Sequence, residues 1–460
     1  MARLYQPRAY APAMLDHILS QPRSALWASM GLGKTVVTLT ALDILSLVDP
    51  GPALVIAPKR VAMSTWPAEA AKWTHLAHLR VSVIVGTPKQ RAAAIAAPAD
   101  IYTTNYENIP WLVEQHATTW PYKKIVLDES TRVKGYRSKQ GGQRARALAR
   151  VTSRVDWLLE LTGTPAPNGL HDLWGQVWFL DHGERLGRSF TAFTDRWFRT
   201  VQVGEDRFAI KRIPLDHAQA EIEARLRDVC LTVDARDHFD LRKPIVSDVV
   251  IDLPPAARRI YDDMEGALFT ELQNGAEIEA FGAASKASKC LQIASGAVYD
   301  EDKNTEHVHD AKLDALRSVV EEAAGAPVIV AYHYQHDLKR LLEAFPQGRW
   351  LDAKPETERD FCEGKIPLLF AHPQSAGHGL NLQHGGNIIV FFSHWWNAES
   401  YEQMIERIGP VRQLQAGFDR PVYVYHIVAR DTLDSTVLYA LANKISVQDA
   451  LLGAMKQRSK

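Results

Sequence analysis

Cysteine is scarce in this chain: Cys230, Cys290 and Cys362 are the only three among 460 residues, far apart and never in a C-x-x-C pair. That spacing supports neither a disulfide framework nor a zinc ribbon and fits a reduced protein. An excess of charge is lacking too. Lys plus Arg number 53 against 54 Asp plus Glu, a formal charge of −1, so any nucleic-acid surface has to be a local patch. No stretch approaches the roughly 18 apolar residues of a membrane span, and the first residues, Met1 to Arg8, hold no apolar run suited to a signal peptide. Internal repeats and low-complexity tracts are also missing. These absences lead us to expect a soluble, intracellular protein without a membrane partner.

What is present is an ordinary globular composition, 46% apolar and 23% charged, long enough for two or three domains at roughly 150 residues each. Short β-rich apolar runs recur between helical patterns: Leu54–Ala57, Val81–Val85 and Lys124–Leu127, then Val328–Ala331, Ile388–Phe392 and Val422–Tyr425. Such runs suit parallel strands buried on both faces. They fall into two groups, so the spacing predicts one α/β architecture used twice, with domains over 1–240 and 241–460. Between Asp181 and Val308 the pattern turns to helix formers and mixed charge, broken by Leu253-Pro254-Pro255. This region is read as helical insertions, from about residue 181 in the first domain and before about residue 310 in the second.

Ala28-Ser29-Met30-Gly31-Leu32-Gly33-Lys34-Thr35 follows the apolar run Ala25-Leu26-Trp27 and opens a helical pattern from Val36 to Leu47. Strand, glycine-rich loop and helix are the context a phosphate loop requires. Gly31, Leu32 and Gly33 would turn backbone N–H groups toward phosphates, Lys34 would reach the β/γ-phosphates, and the Thr35 hydroxyl would ligate Mg²⁺. A glycine-rich turn before an ordinary helix is the bland alternative. Further on, Ile125-Val126-Leu127 runs into Asp128-Glu129, two carboxylates at the C-terminal end of a buried strand, where α/β sheets bind ligands. In a phosphate-loop ATPase the first acid holds the metal and the second orients and deprotonates water. A strand-end cap is the plain alternative for the pair.

Taken in order, these motifs resemble the Swi/Snf-type branch of superfamily-two helicases, the DNA-dependent ATPases. Val55–Lys59 with Trp66, Thr103-Thr104-Asn105-Tyr106-Glu107, Asp128–Lys134 and Leu161-Thr162-Gly163-Thr164-Pro165-Ala166-Pro167-Asn168 are similar to its first-lobe motifs. Val328–Leu338, Ser375-Ala376-Gly377-His378-Gly379-Leu380-Asn381-Leu382 and Trp395-Trp396-Asn397 through Arg407 to Gln413 resemble those of its second lobe. The resemblance implies two RecA-like parallel-sheet lobes with helical insertions, ATP and Mg²⁺ as cofactors, and movement on double-stranded DNA without sequence preference. It implies a minimal motor of the kind found in phages and bacteria, acting in the cytoplasm of a bacterium or phage-infected cell. A strand-separating DNA or RNA helicase and an ATP-gated DNA clamp are the rival readings.

Residue roles follow from the same resemblance. Lys34, Asp128 and Glu129 are the expected catalytic residues, with Thr35 and Asp128 on the metal. Arg407 and Arg412 are expected to share the role of an arginine finger, because Pro410 stands where the branch has its second arginine. Arg8-Ala9-Tyr10-Ala11 occupies the place of Arg-Pro-Tyr-Gln; Arg8 is a candidate nucleotide contact, while Ala11 lacks the glutamine that would read adenine. Lys59, Arg60, Thr103, Thr104 and Asn105 resemble DNA-backbone contacts, as do Ser375, His378 and Asn381. The basic run Lys134, Arg137, Lys139, Arg144, Arg146 and Arg150 carries no acid and suits phosphates, although a solvated helix face would read the same. Trp396 and Trp66 are the two tryptophans considered for base stacking. The pair His307 and His309 is read as an exposed loop rather than a metal site, because no partner cysteines exist.

Overall fold

The computed structural model describes residues 2–116, 119–137, 142–167, 169–202, 210–239, 241–274, 277–352, 354–376, 380–443, 450–451 and 454. The chain divides into two compact units, Met1–Val201 with Arg212–Asp240, and Gln202–Lys211 with Leu241–Lys460.

In chain order the first strands are β1 (Arg23–Ala28), β2 (Ala53–Ala57), β3 (Val81–Ile84), β4 (Ile101–Asn105), β5 (Lys124–Asp128) and β6 (Trp157–Thr162). A hairpin of β7 (Phe198–Gln202) and β8 (Ile210–Pro214) follows, then β9 (Cys230–Val233). Seven of these make one sheet in the order β3-β4-β2-β5-β6-β1-β9, and every pairing in it is parallel. All residues of β2, β4, β5 and β6 are buried, as expected of parallel strands covered on both faces, and they enclose four polar or charged side chains, Asn105, Lys124, Asp128 and Glu160, among otherwise apolar or β-branched residues. The order places β6 between β1 and β5, so the loops after these three strands leave the same edge of the sheet side by side.

The second unit repeats the plan with β10 (Ile245–Ile251), β13 (Val328–Ala331), β14 (Gly348–Trp350), β15 (Leu368–Ala371), β16 (Ile388–Phe391) and β17 (Tyr423–Ala429), ordered β10-β17-β16-β13-β15-β14. Its pairings are parallel throughout. β11 (Ala297–Tyr299) and β12 (Thr305–His307) form a separate antiparallel hairpin. Lys312 and Asp434, both fully buried, meet at 2.6 Å and join helix Ala311–Glu322 to helix Leu433–Asn443. Burial pushes the Asp434 carboxyl up, but the Lys312 charge, His394 and the Ala429 N–H together outweigh it and hold the group below its ordinary value.

The region from Asp181 to Val308 differs from its helical reading. Helices Phe190–Trp197, Ala218–Leu226, Pro255–Asn274 and Glu277–Ser295 are present, but β9 and β10 lie among them and close one edge of each sheet. Most residues of β10 are exposed. Its sequence is rich in Ile and Val but interrupted by Ser247-Asp248, so it lacks the continuous apolar run of a central strand.

Glu160, in the middle of β6, is fully buried, and neither carboxyl oxygen has a hydrogen-bond partner among the described residues. Burial, with Asp181 nearby, raises its pKa well above 4.5, so the folded protein holds it neutral. A raised carboxyl contributes fully below its unfolded pKa, and stability is lost as pH rises above that value toward the folded pKa. Replacing Glu160 by Leu is expected to stabilise the chain at neutral pH. Its advantage over the parent should widen as pH rises above the ordinary carboxyl range, measured by denaturant titration at a series of pH values.

Candidate functional site

The loop between β1 and helix Lys34–Val48 turns on Gly31 (φ 80°) and Gly33 (φ 77°). Glycine takes this left-handed conformation without steric cost, which frees the backbone N–H groups at the helix start to face an anion. Leu32 is buried beneath the loop, while Lys34 and Thr35 stand half-exposed in the first helical turn. The Lys34 ammonium donates to the carbonyls of Ala28 (2.5 Å) and Ser29 (3.2 Å), folded back over its own loop. β9 braces the far side: Ser29 N–H donates to the Val233 carbonyl at 3.0 Å, and Ala235 N–H to Ser29 Oγ at 3.2 Å. This brace comes from a segment some 200 residues away and has no motif signature.

Two strands along, β5 delivers Asp128 to the same sheet edge, 9% exposed, with Oδ2 accepting from Trp66 Nε1–H at 2.9 Å. Burial raises the Asp128 carboxyl above its ordinary value, while the Trp66 hydrogen bond and the Lys34 charge pull it down. Tyr106 supports the turn from beneath, its hydroxyl donating to the carbonyls of Asp128 (2.9 Å) and Glu129 (3.3 Å). Glu129 takes a left-handed backbone conformation, φ 59°, which is uncommon for a side chain of its size and is held by the surrounding contacts. The Thr35 hydroxyl and Asp128 carboxylate are hard oxygen donors of the kind magnesium prefers. A buried carboxyl pushed up by burial is also one that a nearby cation would return to its charged form. The residues fit a magnesium site.

From β6, between the two, comes the Thr162-Gly163-Thr164 turn. A Cβ on Gly163 would lie 3.5 Å from the Ala28 carbonyl and 3.6 Å from Met30 Cγ, so this turn packs directly on the phosphate loop. Gln176, one turn into helix Leu173–Asp181, accepts from Ser130 Oγ at 2.8 Å and donates to the Pro165 carbonyl at 2.7 Å. Gly175 beside it lets the helix approach closely, since a Cβ there would stand 2.2 Å from the Lys134 carbonyl. Sequence reasoning passed over Gln176, whose partner is the buried hydroxyl of Ser130 directly after Asp128-Glu129.

Several expected nucleic-acid contacts are spent inside the fold. Thr103 Oγ1 donates to the Ala62 carbonyl (2.7 Å), Thr104 Oγ1 to Ile84 (2.9 Å), and Asn105 Nδ2 to Glu107 (2.6 Å), all three residues being buried. Lys134 pairs with Asp172 at 3.2 Å. Arg137 donates to the carbonyls of Lys134 and Tyr136 and lies 3.4 Å from the centre of the Phe190 ring; burial lowers its pKa. Trp66 is fully buried and serves Asp128, so it offers no stacking face. Lys59 is exposed and Arg60 half-exposed at the end of β2. Arg8 is exposed, its guanidinium over the Phe239 ring at 5.5 Å, and Ala11 is buried at the start of helix Ala11–Ser20.

In the second unit, Arg407 is buried at the end of helix Ala398–Glu406. Arg412 is engaged locally: Nη1 donates to the Leu380 carbonyl (2.8 Å) and to Asn381 Oδ1 (3.0 Å). These bonds tie Arg412 to the segment that holds Asn381. Asn381 N–H also donates to Glu358 at 2.8 Å. Ser375 is half-exposed, and Trp396 packs half-buried against the cluster around Leu253 and Leu433. Gly377, His378 and Gly379, like Asn168 and Lys139, lie outside the described residues. His309 is buried, with Nε2 3.0 Å from the Ile293 carbonyl, rather than in an exposed loop. Among the described residues no group of three or more His, Cys, Asp or Glu side chains could hold a metal ion, and no helix is long and apolar enough to cross a membrane.

A phosphate loop, an Asp-Glu turn and a packed third turn on one edge of a parallel sheet define a phosphate-loop nucleoside triphosphatase. Comparison with known proteins narrows the class. The SNF2-related domain is matched over residues 19–274. The p41 protein of Acyrthosiphon pisum secondary endosymbiont phage 1 is 52% identical over 99% of this chain and all of its own length. YwqA of Bacillus subtilis, whose name proposes an ATP-dependent helicase/translocase, is 24% identical over 92% of this chain and 46% of its own. The yeast ISWI chromatin-remodeling complex ATPase ISW1 is 34% identical over 38% of this chain and 15% of its own. The solved Sulfolobus solfataricus SWI2/SNF2 ATPase core in complex with dsDNA is 21% identical, covering 96% of this chain and 93% of that one at a TM-score of 0.44. The chain belongs to the SNF2-related family, the Swi/Snf-like branch of superfamily-two ATPases with two RecA-like lobes.

The Arg412 contacts generate a stability prediction. Arg412→Ala removes an ionised donor from two acceptors and is expected to cost about 1.5–3 kcal/mol, measured by denaturant unfolding. Arg412→Lys should recover only part of it, because an ammonium cannot match the planar fork.

Proposed function

We propose that the chain is a DNA-dependent ATPase that couples ATP hydrolysis to movement along duplex DNA without sequence preference. The observation that carries this reading is the shared sheet edge, where Gly163 packs on the phosphate loop and Ser130 and Pro165 are joined through Gln176. Such a connection lets a change at the nucleotide reach the segment beyond the third turn. The helicase/translocase and remodelling names of the relatives support the same direction.

In this reading Lys34 leaves the Ala28 and Ser29 carbonyls for the β/γ-phosphates, and Glu129 orients and deprotonates the attacking water. Thr35 and Asp128 would hold magnesium, which when bound neutralises charge on the phosphate oxygens. Arg407 is the arginine finger of this reading, countering charge as it builds on the γ-phosphate. Lys59 and Arg60 supply DNA-backbone contacts in the first unit, and Ser375 and Asn381 in the second. Binding through phosphates carries a steep salt dependence. Ala11 offers adenine no side-chain amide, so a strict preference for ATP would need a substitute such as the nearby Gln6.

Steady-state ATP turnover without nucleic acid, then with single-stranded DNA, duplex DNA and RNA, tests the proposal. Duplex DNA is expected to stimulate most, and Glu129→Gln to lower turnover by about 10²–10⁴-fold while nucleotide still binds. An unwinding assay should leave duplex strands paired. Strand separation would favour the helicase reading, and no turnover above the Glu129→Gln blank, with nucleotide bound, would favour an ATP-gated clamp.

A further inference from the structure

The basic run from Lys134 to Arg150 is not one uniform patch. Lys134 is paired with Asp172, Arg137 is packed on Phe190, and Arg144 pairs with Glu107 at 3.0 Å. Arg146 and Arg150 differ: both are exposed, and among the described residues neither guanidinium has a hydrogen bond or ion pair. They stand four residues apart on one face of helix Gln143–Ala149 and its C-terminal cap, about 5–6 Å apart at Cβ. Both line an open groove of about 670 Å³, together with Gln143 on the same helix face and Glu114 on the helix Ile109–Gln115. Tyr136 and Trp178 complete it. Trp178 is half-buried, its ring 4.3 Å from that of Tyr136.

Two unpartnered guanidiniums suit phosphate oxygens, which they can grip bidentately. An indole beside them suits the flat face of a base. In a duplex the base faces are stacked inside, so only an unpaired base can reach Trp178. Glu114 sharpens the choice of partner. Its carboxylate would repel the acidic groups of a peptide lying in the groove, but it can accept a hydrogen bond from an exocyclic base amino group such as cytosine N4. The groove's volume is in the range of small-ligand sites and admits a nucleotide unit.

We infer that this groove is a second nucleic-acid site, taking an unpaired nucleotide of a single strand, with phosphate on Arg146 and Arg150 and the base on Trp178. It uses none of the residues assigned to ATP hydrolysis, so it stands or falls independently of turnover. A motor holding a single strand here as well as a duplex elsewhere would favour junctions between the two.

The test is fluorescence anisotropy of the full chain with short labelled oligo-dC, oligo-dT and a duplex of equal length at one fixed salt concentration. Oligo-dC is expected to bind more tightly than oligo-dT. Trp178→Ala and the double variant R146Q/R150Q should each weaken oligo-dC by about tenfold or more, with a smaller loss on the duplex. Glu114→Gln should erase the preference for dC over dT. Because Trp178 also packs on Tyr136, Trp178→Phe provides the folded control and should keep most of the binding. Equal losses on single strand and duplex would reduce the groove to a general phosphate patch and overturn the inference. So would unchanged oligo-dC binding in R146Q/R150Q, or poly-glutamate competing as well as oligo-dC.

Discussion

The structure of the nucleotide-binding unit depends on one buried carboxyl group, that of Asp128 at the end of β5. Removing such a group from water is costly, and the fold answers with a set of placements that are otherwise hard to explain. Trp66, a large side chain with a single donor, is buried to reach Oδ2; Tyr106 is buried to hold the carbonyls on either side of the next peptide bond; Lys34 contributes its charge from the phosphate loop. None of these fully compensates the carboxyl, which burial still pushes upward. A site left short of positive charge is one that a cation completes. The apolar strands around it, buried on both faces, give the rigid frame that such placement needs.

Much of this was legible in the sequence because the chemistry allows few alternatives. Gly31 and Gly33 must take left-handed turns, Lys34 and Thr35 must follow at once, and Asp128-Glu129 must end a buried strand. Each requirement fixes a residue type at a position. Legibility ended where side-chain direction decided the matter. Thr103, Thr104 and Asn105 are where the family resemblance puts them, but their polar atoms point into the fold. Lys134 and Arg137 look like a phosphate patch until Asp172 and Phe190, distant in sequence, come beside them. Charge in a sequence shows supply and not commitment. β9 and β10 were missed for a different reason: at a sheet edge, pairing on one side suffices, and the apolar run that announces a central strand is not needed.

The second unit shows how a missing residue can be absorbed. Pro410 occupies the place of a second arginine, and Arg412, two positions on, is used to hold Leu380 and Asn381. Its cation fixes one of the unit's own loops. Gln176 does similar work in the first unit. A neutral side chain with both a donor and an acceptor joins Ser130 to Pro165, so the turn after β5 and the turn after β6 share one fixed spacer.

The pairing of β1 with β9 has a consequence for how the protein is made. β1, which carries the phosphate loop, has β6 on one side, but its other neighbour is not synthesised until residues 230–233 emerge. Closing a loop of that length is entropically slow compared with forming the local strand and helix pairs. During synthesis the strand bearing the loop is therefore an open edge, able to pair with other extended chains until the late segment arrives. Within the first unit, the phosphate loop is among the first motifs to be translated and among the last to be structurally complete, and the interval between those two events is a vulnerable period in the unit's synthesis.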